Sequence, residues 1–154
     1  VVDMGGGYGG PVIEHLTENN VECMRYIGSS TDTRARTRDR HLGFKNVRTQ
    51  AIWQFREALD PDQEGGSPIA LPPNPRLLAD LTAPTFEVRN SEIVIETKEN
   101  VVKRLGRSTD DGDAVVMAWY GGDKHLLPGQ RRNSHKKIQV ITKRTMRGER
   151  KRRR

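Results

Sequence analysis

The order of hydrophobic patterns along this chain predicts an α/β fold, a mixed β-sheet covered by helices. Three observations predict it. A short apolar strand end, Val1-Val2, runs into a glycine-rich turn and then a helix. Two alternating segments, Thr85 to Val88 and Glu92 to Thr97, read as a hairpin. Stretches with helical spacing of apolar residues lie between and after them, so strands and helices succeed one another.

Each element has its own local reason. Gly5 to Gly10, with Tyr8 inside it, is a flexible turn. Pro11 to Asn19 is predicted as a helix, since Pro11 suits a first turn and Val12, Ile13 and Leu16 form a stripe. Val21 to Ile27 is predicted as a strand with Val21, Cys23 and Met24 inward. Ser29 to Gly43 is polar and basic, hence a loop. Asn46 to Leu59 is predicted helical, with Ile52, Trp53, Phe55 and Leu59 available to a core. Ile69-Ala70-Leu71 is expected to be a short buried segment after a Gly- and Asp-rich loop. Asn74 caps a helix to Thr82, with Pro75 at its first position. The hairpin follows, joined by Arg89-Asn90-Ser91, and then a short helix from Asn100 to Leu105. Thr109 to Trp119 is apolar nearly all round, so this helix is expected to be deeply buried. Beyond Gly121 only Ile138 to Ile141 has strand character, and the last residues are low-complexity basic sequence, expected to be disordered.

The 154 residues are enough for one real core, though only 33% are apolar and 31% are charged. No apolar run is long enough for a membrane span, and no N-terminal segment has the form of a secretory signal. The chain starts at Val1-Val2-Asp3, like the middle of a strand, and is expected to be a fragment. One cysteine, Cys23, excludes an internal disulfide and a thiolate zinc cluster; it fits a reducing setting and a small buried apolar role. The net charge of +7 conceals two opposite parts. Residues 129–154 hold 12 Lys and Arg against one acid, Glu149, for +11. The other 128 residues hold 15 basic and 19 acidic side chains, for −4. The division expected is a domain over 1–128 and a basic tail over 129–154, not a uniformly basic DNA-binding domain.

Acids at element ends carry the chemistry. Asp3 stands where a strand meets a glycine-rich turn, and ligands of open α/β sheets gather at the carboxyl ends of strands. The plain alternative is an Asp that caps the turn. Gly5, Gly7 and Gly10 satisfy a Gly-x-Gly-x-x-Gly pattern, but polyglycine makes that match easy, and no Lys follows for a phosphate loop. Asp110, Asp111 and Asp113 open the most apolar helix, where the dipole favours carboxylates. Asp110 and Asp113 share one face. Asp113 is followed at once by Ala114-Val115-Val116, and a carboxylate at the mouth of an apolar helix is costly unless paired or bound to metal. Oxygen ligands imply magnesium or manganese, two of which can flank a phosphodiester. His15, His41, His125 and His135 are scattered and show no zinc spacing.

These residues resemble a known family. Val1-Val2-Asp3-x-Gly-Gly-x-Gly, Asn20-Val21-Glu22, Phe44-Lys45-Asn46 before a helix bearing Trp53, Leu71-Pro72, and Leu78-x-x-Leu81 are similar to successive stretches of phage terminase large-subunit nuclease domains. Lys103-Arg104-Leu105-Gly106-Arg107-Ser108-Thr109-Asp110-Asp111-Gly112-Asp113-Ala114 is similar to their closing signature. The likeness spans about residues 1 to 120. It implies an RNase H-like mixed sheet flanked by helices, here lacking the first strand or strands. It implies a two-metal endonuclease, with magnesium or manganese, that cuts concatemeric viral double-stranded DNA during packaging in the host cytoplasm. Asp3 matches the family's second metal-binding acid, Asp113 its third, and Asp110 a position that often adds a ligand. The portal and the small terminase subunit are the implied partners. Three departures stand out. The strand with the family's first acid is not in this chain, Thr109 replaces a Pro, and Gly112 replaces an Ala at about 1 kcal/mol of helix stability. No phosphate-loop lysine motif of the packaging ATPase is present either.

Lys103, Arg104 and Arg107, beside the acids, are candidate contacts for a scissile strand. Arg34, Arg36, Arg38 and Arg40 alternate in a loop that either meets DNA phosphates or is simply solvated; Arg36 and Arg38 are the candidates carried forward. Two other functions compete: a non-enzymatic DNA- and portal-binding module with a degenerate metal site, and a Holliday-junction resolvase of the same fold class.

Overall fold

The structure, a computed structural model, describes residues 1–122. The expected strand over Ile138 to Ile141 and the basic tail lie outside the described residues. The described chain is a mixed α/β domain. In order it forms β1 (Val2–Asp3), α1 (Gly9–Glu18), β2 (Arg25–Tyr26), β3 (Gly43–Phe44), α2 (Val47–Leu59), α3 (Pro75–Thr82), β4 (Phe86–Arg89), β5 (Glu92–Ile95), α4 (Lys98–Leu105) and α5 (Asp110–Gly121). Among the described residues no helix is long and apolar enough to cross a membrane.

The strands make two small sheets among these residues. β1 and β2 pair in parallel, Val2 with Arg25 and Asp3 with Tyr26. The second sheet has the order β3-β5-β4, with β3 parallel and β4 antiparallel to β5. β5 alternates as expected, Ile93 and Ile95 inward and Glu92 and Val94 less buried. Its hairpin with β4 turns on two residues, Asn90 (φ 51°) and Ser91 (φ 61°). Left-handed backbone at both central positions matches the twist of a tight hairpin.

Helix ends follow side-chain chemistry. The Asn46 side chain accepts from the Thr49 N–H, and that of Asn74 from the N–H groups of Arg76 and Leu77. Thr97 does the same for Asn100, so α4 starts two residues before the expected Asn100. Gly106 (φ 71°) ends α4 in left-handed backbone, which costs glycine little.

Two clusters form the core. Tyr26, Ala51, Phe55 and Val116 bind β2, α2 and α5 together, and Phe44, Ile93 and Ile95 lie under the second sheet, with Ile52 packed against both. Edge-to-face contacts join Phe55 to Trp119 at 5.5 Å and Trp53 to Phe86 at 4.8 Å between ring centroids. Full burial of a side chain such as Phe55 contributes about 2–3 kcal/mol.

Five expectations change. In the segment from Val21 to Ile27 only Arg25–Tyr26 is a strand; Tyr26 is buried there, while Val21 and Met24 are 48% and 40% exposed. Pairing with β1 covers only the two residues beside Asp3, so the rest has no ladder to join. Cys23 is a half-buried free thiol. α5 is apolar on nearly every side, yet only Gly112 and Val116 are buried, and Ala114 and Ala118 face outward. Leu71 is 36% exposed and Ala70 is exposed, so Ile69 alone of its segment packs on the core. β3 begins at Gly43, the last residue of the stretch read as loop, and Phe44 falls in no predicted element; two residues with one glycine give no alternation to detect.

Candidate active site

Asp3 ends β1, and the chain turns immediately. Its Oδ1 accepts the Gly5 N–H at 2.9 Å. A 3-10 turn over Gly5–Gly7 follows, with Gly6 and Gly7 at positive φ. Gly9 then starts α1 against the strand end. A Cβ there would overlap the backbone oxygen of Asp3 and stand 2.7 Å from the Met4 sulfur. The glycines thus bring helix and strand end together and leave Asp3 exposed at the junction. α1 starts two residues before Pro11 for the same reason.

The second group of acids sits at the start of α5. Lys98 Nζ stands 3.1 Å from Asp110 Oδ1 and 2.9 Å from Asp113 Oδ2. Ser108 donates to Asp110 Oδ1 at 2.5 Å, and Thr109 Oγ1 donates to Asp113 Oδ2 at 3.1 Å. Asp113 is 22% exposed, half-sheltered as its place in the first turn suggested. Asp111 points elsewhere and pairs with Arg76 at 3.0 Å.

Asp3, Asp110 and Asp113 line one cavity of about 570 Å³, with Lys98, Arg48 and Tyr26 in its wall. Tyr26 stands in the wall of this cavity. Burial raises its phenol to about 12; Arg48 opposes the shift, and the negative charges of Asp113 and Asp3 add to it. Both carboxylates therefore lie within electrostatic reach of one hydroxyl. The Asp110 carboxyl is held below the usual range by the Ser108 hydrogen bond and then by Lys98. Burial opposes the charge of Lys98, but its bonds to Asp113 and Asp110 outweigh that and raise its ammonium.

Hard carboxylate oxygens around one cavity are the donor chemistry that magnesium or manganese takes. No group of three His, Cys, Asp or Glu among the described residues is gathered closely enough to hold a metal. Two carboxylates suffice for a magnesium-type ion that keeps waters and takes substrate phosphate oxygens as its other ligands. On that measure Asp3 and Asp113 fit the group.

The basic candidates divide. Arg107 Nη1 lies 2.5 Å from Oδ1 of the buried Asp80. Arg104 bonds Glu96 at 2.6 Å and the Ala83 carbonyl at 2.6 Å. Arg38 bonds the Glu57 backbone oxygen and the Gln63 side chain, and lies 3.6 Å from Asp60. Lys103 and Arg36 are exposed, with no ion pair among the described residues. Lys98, Tyr26, Arg48 and Asp80 were not foreseen. Lys98 alone had a sequence cue, a cation following a Thr cap, and its partners lie 12 and 15 residues on.

The fold and the cavity define an α/β domain with an acid-lined cleft at a strand end and a helix start. It is similar to the structure of a mutant nuclease domain of the large terminase subunit gp2 of bacterial virus Sf6, which carries manganese and beta-thujaplicinol. The TM-score is 0.54 at 19% sequence identity, over 73% of this chain and 61% of that one. The chain therefore spans less than two thirds of the domain it matches. Neither a protein-family model nor a curated protein matches the sequence.

Proposed function

We propose that this chain is part of the nuclease domain of a phage terminase large subunit, with an RNase H-like fold. In this reading it is a magnesium- or manganese-dependent endonuclease that cuts concatemeric viral double-stranded DNA during packaging in the host cytoplasm. The division into a nuclease part over 1–128 and a basic tail over 129–154 belongs to the same reading. The observation that carries it is the sharing of one cavity by Asp3, at the end of β1, and Asp113, in the first turn of α5.

The chain's own groups have distinct tasks. Asp3 and Asp113 would hold the ion, with Asp110 lining the same cavity. Bound magnesium or manganese supplies Lewis-acid activation of water and phosphate. Thr109 orients Asp113 through its Oδ2. Lys98 and Arg48 set positive charge in the cavity wall, where a phosphodiester brings negative charge. Tyr26 stays protonated at neutral pH and is a hydrogen-bond donor rather than a base. Lys103 and Arg36 are exposed cations suited to backbone phosphates. Arg38, Arg104 and Arg107 contact DNA only with what their internal bonds leave over.

The test is nicking of supercoiled plasmid by the full-length parent protein in magnesium or manganese. Activity lost in both Asp3→Ala and Asp113→Ala supports the reading, and activity retained in both refutes it. The Lys98 ammonium, already seated on Asp110 and Asp113, favours a second reading: a DNA- and portal-binding module with a degenerate site. There, removal of 129–154 abolishes DNA binding while both Asp variants bind normally.

A further inference from the structure

Helix α5 is closed at its start in an unusual way. Thr109 occupies the N-cap position, yet its side chain makes no capping bond. Threonine there ordinarily accepts from an N–H two or three residues on. Here its buried hydroxyl instead donates to Asp113 Oδ2 at 3.1 Å. The N–H it would have capped, that of Gly112, is met from another helix: Asp80 Oδ2, on α3, accepts it at 3.2 Å. Asp80 is 2% exposed. Its other oxygen, Oδ1, has no regular hydrogen bond but lies 2.5 Å from the Arg107 guanidinium, so its charge is met by an ion pair. Such a carboxylate is costly to bury, and here the cost is offset by a paired charge and an N–H partner.

We propose that Asp80 is a positioning residue that caps α5 from α3, freeing the Thr109 hydroxyl to hold Asp113 toward the cavity. Gly112 belongs to the same device. A Cβ at that position would stand 2.8 Å from the Asp80 Cβ, so glycine lets the carboxylate reach the N–H. The helix propensity lost at Gly112 is the cost of that approach. Arg107 holds Asp80 from the segment just before α5, donating also to the Ser108 carbonyl at 3.0 Å. The closing run from Arg107 to Asp113 thus folds around one residue of α3. The consequence for catalysis rests on the metal-nuclease reading; the cap itself does not.

The test uses the 154-residue chain, amide hydrogen exchange, and binding of manganese ion alone. Asp80→Ala is expected to speed exchange of the Gly112 amide about tenfold or more while Ile93 and Val101 amides keep their rates. Thr109→Val should leave Gly112 exchange within about twofold but shift the Asp113 side-chain carboxyl resonance in metal-free protein. Both variants should weaken manganese binding, and the double variant no more than the worse single, because both act through Asp113. Should Asp80→Ala fail to fold, Asp80→Asn combined with Arg107→Met keeps the shape and, with the competing guanidinium donor gone, leaves the one amide oxygen to Gly112; this pair is expected to keep Gly112 protection. Unchanged Gly112 exchange in Asp80→Ala, or loss of protection in the folded Asp80→Asn, Arg107→Met pair, overturns the cap. Additive losses of manganese affinity overturn the handover to Thr109. If wild type binds no manganese that Asp113→Ala removes, the metal reading fails, while Gly112 exchange and the Asp113 resonance still decide this proposal.

Discussion

Two neighbouring glycines should respond to alanine with opposite signs. Gly9 and Gly10 both lie in the first turn of α1. At Gly10 a Cβ meets nothing within 4 Å, so Gly10→Ala gains helix propensity and restricts the unfolded chain. The expected gain is about 0.5–1 kcal/mol. At Gly9 a Cβ would overlap the Asp3 backbone oxygen and press on the Met4 sulfur. The sulfur can move, but the oxygen belongs to a strand that pairs with β2. Overpacking against backbone costs about 3 kcal/mol, at the upper end of the usual range. Propensity returns about 1 kcal/mol, leaving Gly9→Ala some 2 kcal/mol less stable. In a domain of this size each kcal/mol moves the melting temperature by roughly 3–6 °C. Thermal unfolding followed by circular dichroism should therefore place Gly9→Ala roughly 6–12 °C below wild type and Gly10→Ala a few degrees above it. Equal shifts of the same sign would refute the close approach of α1 to the end of β1. The same displacement carries Asp3 with it, so Gly9→Ala should also weaken manganese binding.

Three further outcomes follow from the site and its surroundings. Tyr26 should ionise near 12 in an ultraviolet titration, and Asp3→Asn and Asp113→Asn should each lower that value, since both charges raise it. Because the folded value is raised, Tyr26 contributes stability below about pH 10 that is lost as pH climbs toward 12, and Tyr26→Phe should remove that slope. Glu96 is depressed, chiefly by its Arg104 hydrogen bond, so it stabilises the fold above about pH 4.3 and ceases to as pH falls through its folded value. Glu96→Gln should flatten that acid limb of the denaturant midpoint, and an unchanged limb would count against the pair. Lys98→Met should change stability by less than about 1 kcal/mol, since the ammonium is 41% exposed, yet tighten manganese binding by removing a competing cation. Weaker binding in that variant would show that Lys98 supports the site rather than occupying it.

What the sequence disclosed was local. Asn46 and Asn74 announce α2 and α3 because a cap acts within three residues, and the Ile93–Ile95 alternation announces β5 because its period is two. The placement of Asp3 at a strand end and Asp113 in a first helical turn came from the same short-range rules. The misses are long-range. β3 exists only because β5, about fifty residues on, offers it a partner. Tyr26 rather than Val21 turns inward because α2 and α5 close over β2 at that point. Gly112 looked like a weak position in a helix, and its use becomes visible only when Asp80 is seen 32 residues away.

The candidate DNA-contacting arginines have a practical consequence for anyone mapping nucleic-acid contacts. Arg38, Arg104 and Arg107 reach carbonyls and carboxylates of the protein itself, so they act as mortar between segments. Neutralising them in a scanning survey would loosen the masonry and imitate a loss of affinity. Lys103 and Arg36 carry their charge on the outside, and charge reversal there reads the electrostatic field toward a polyanion without disturbing the wall behind it.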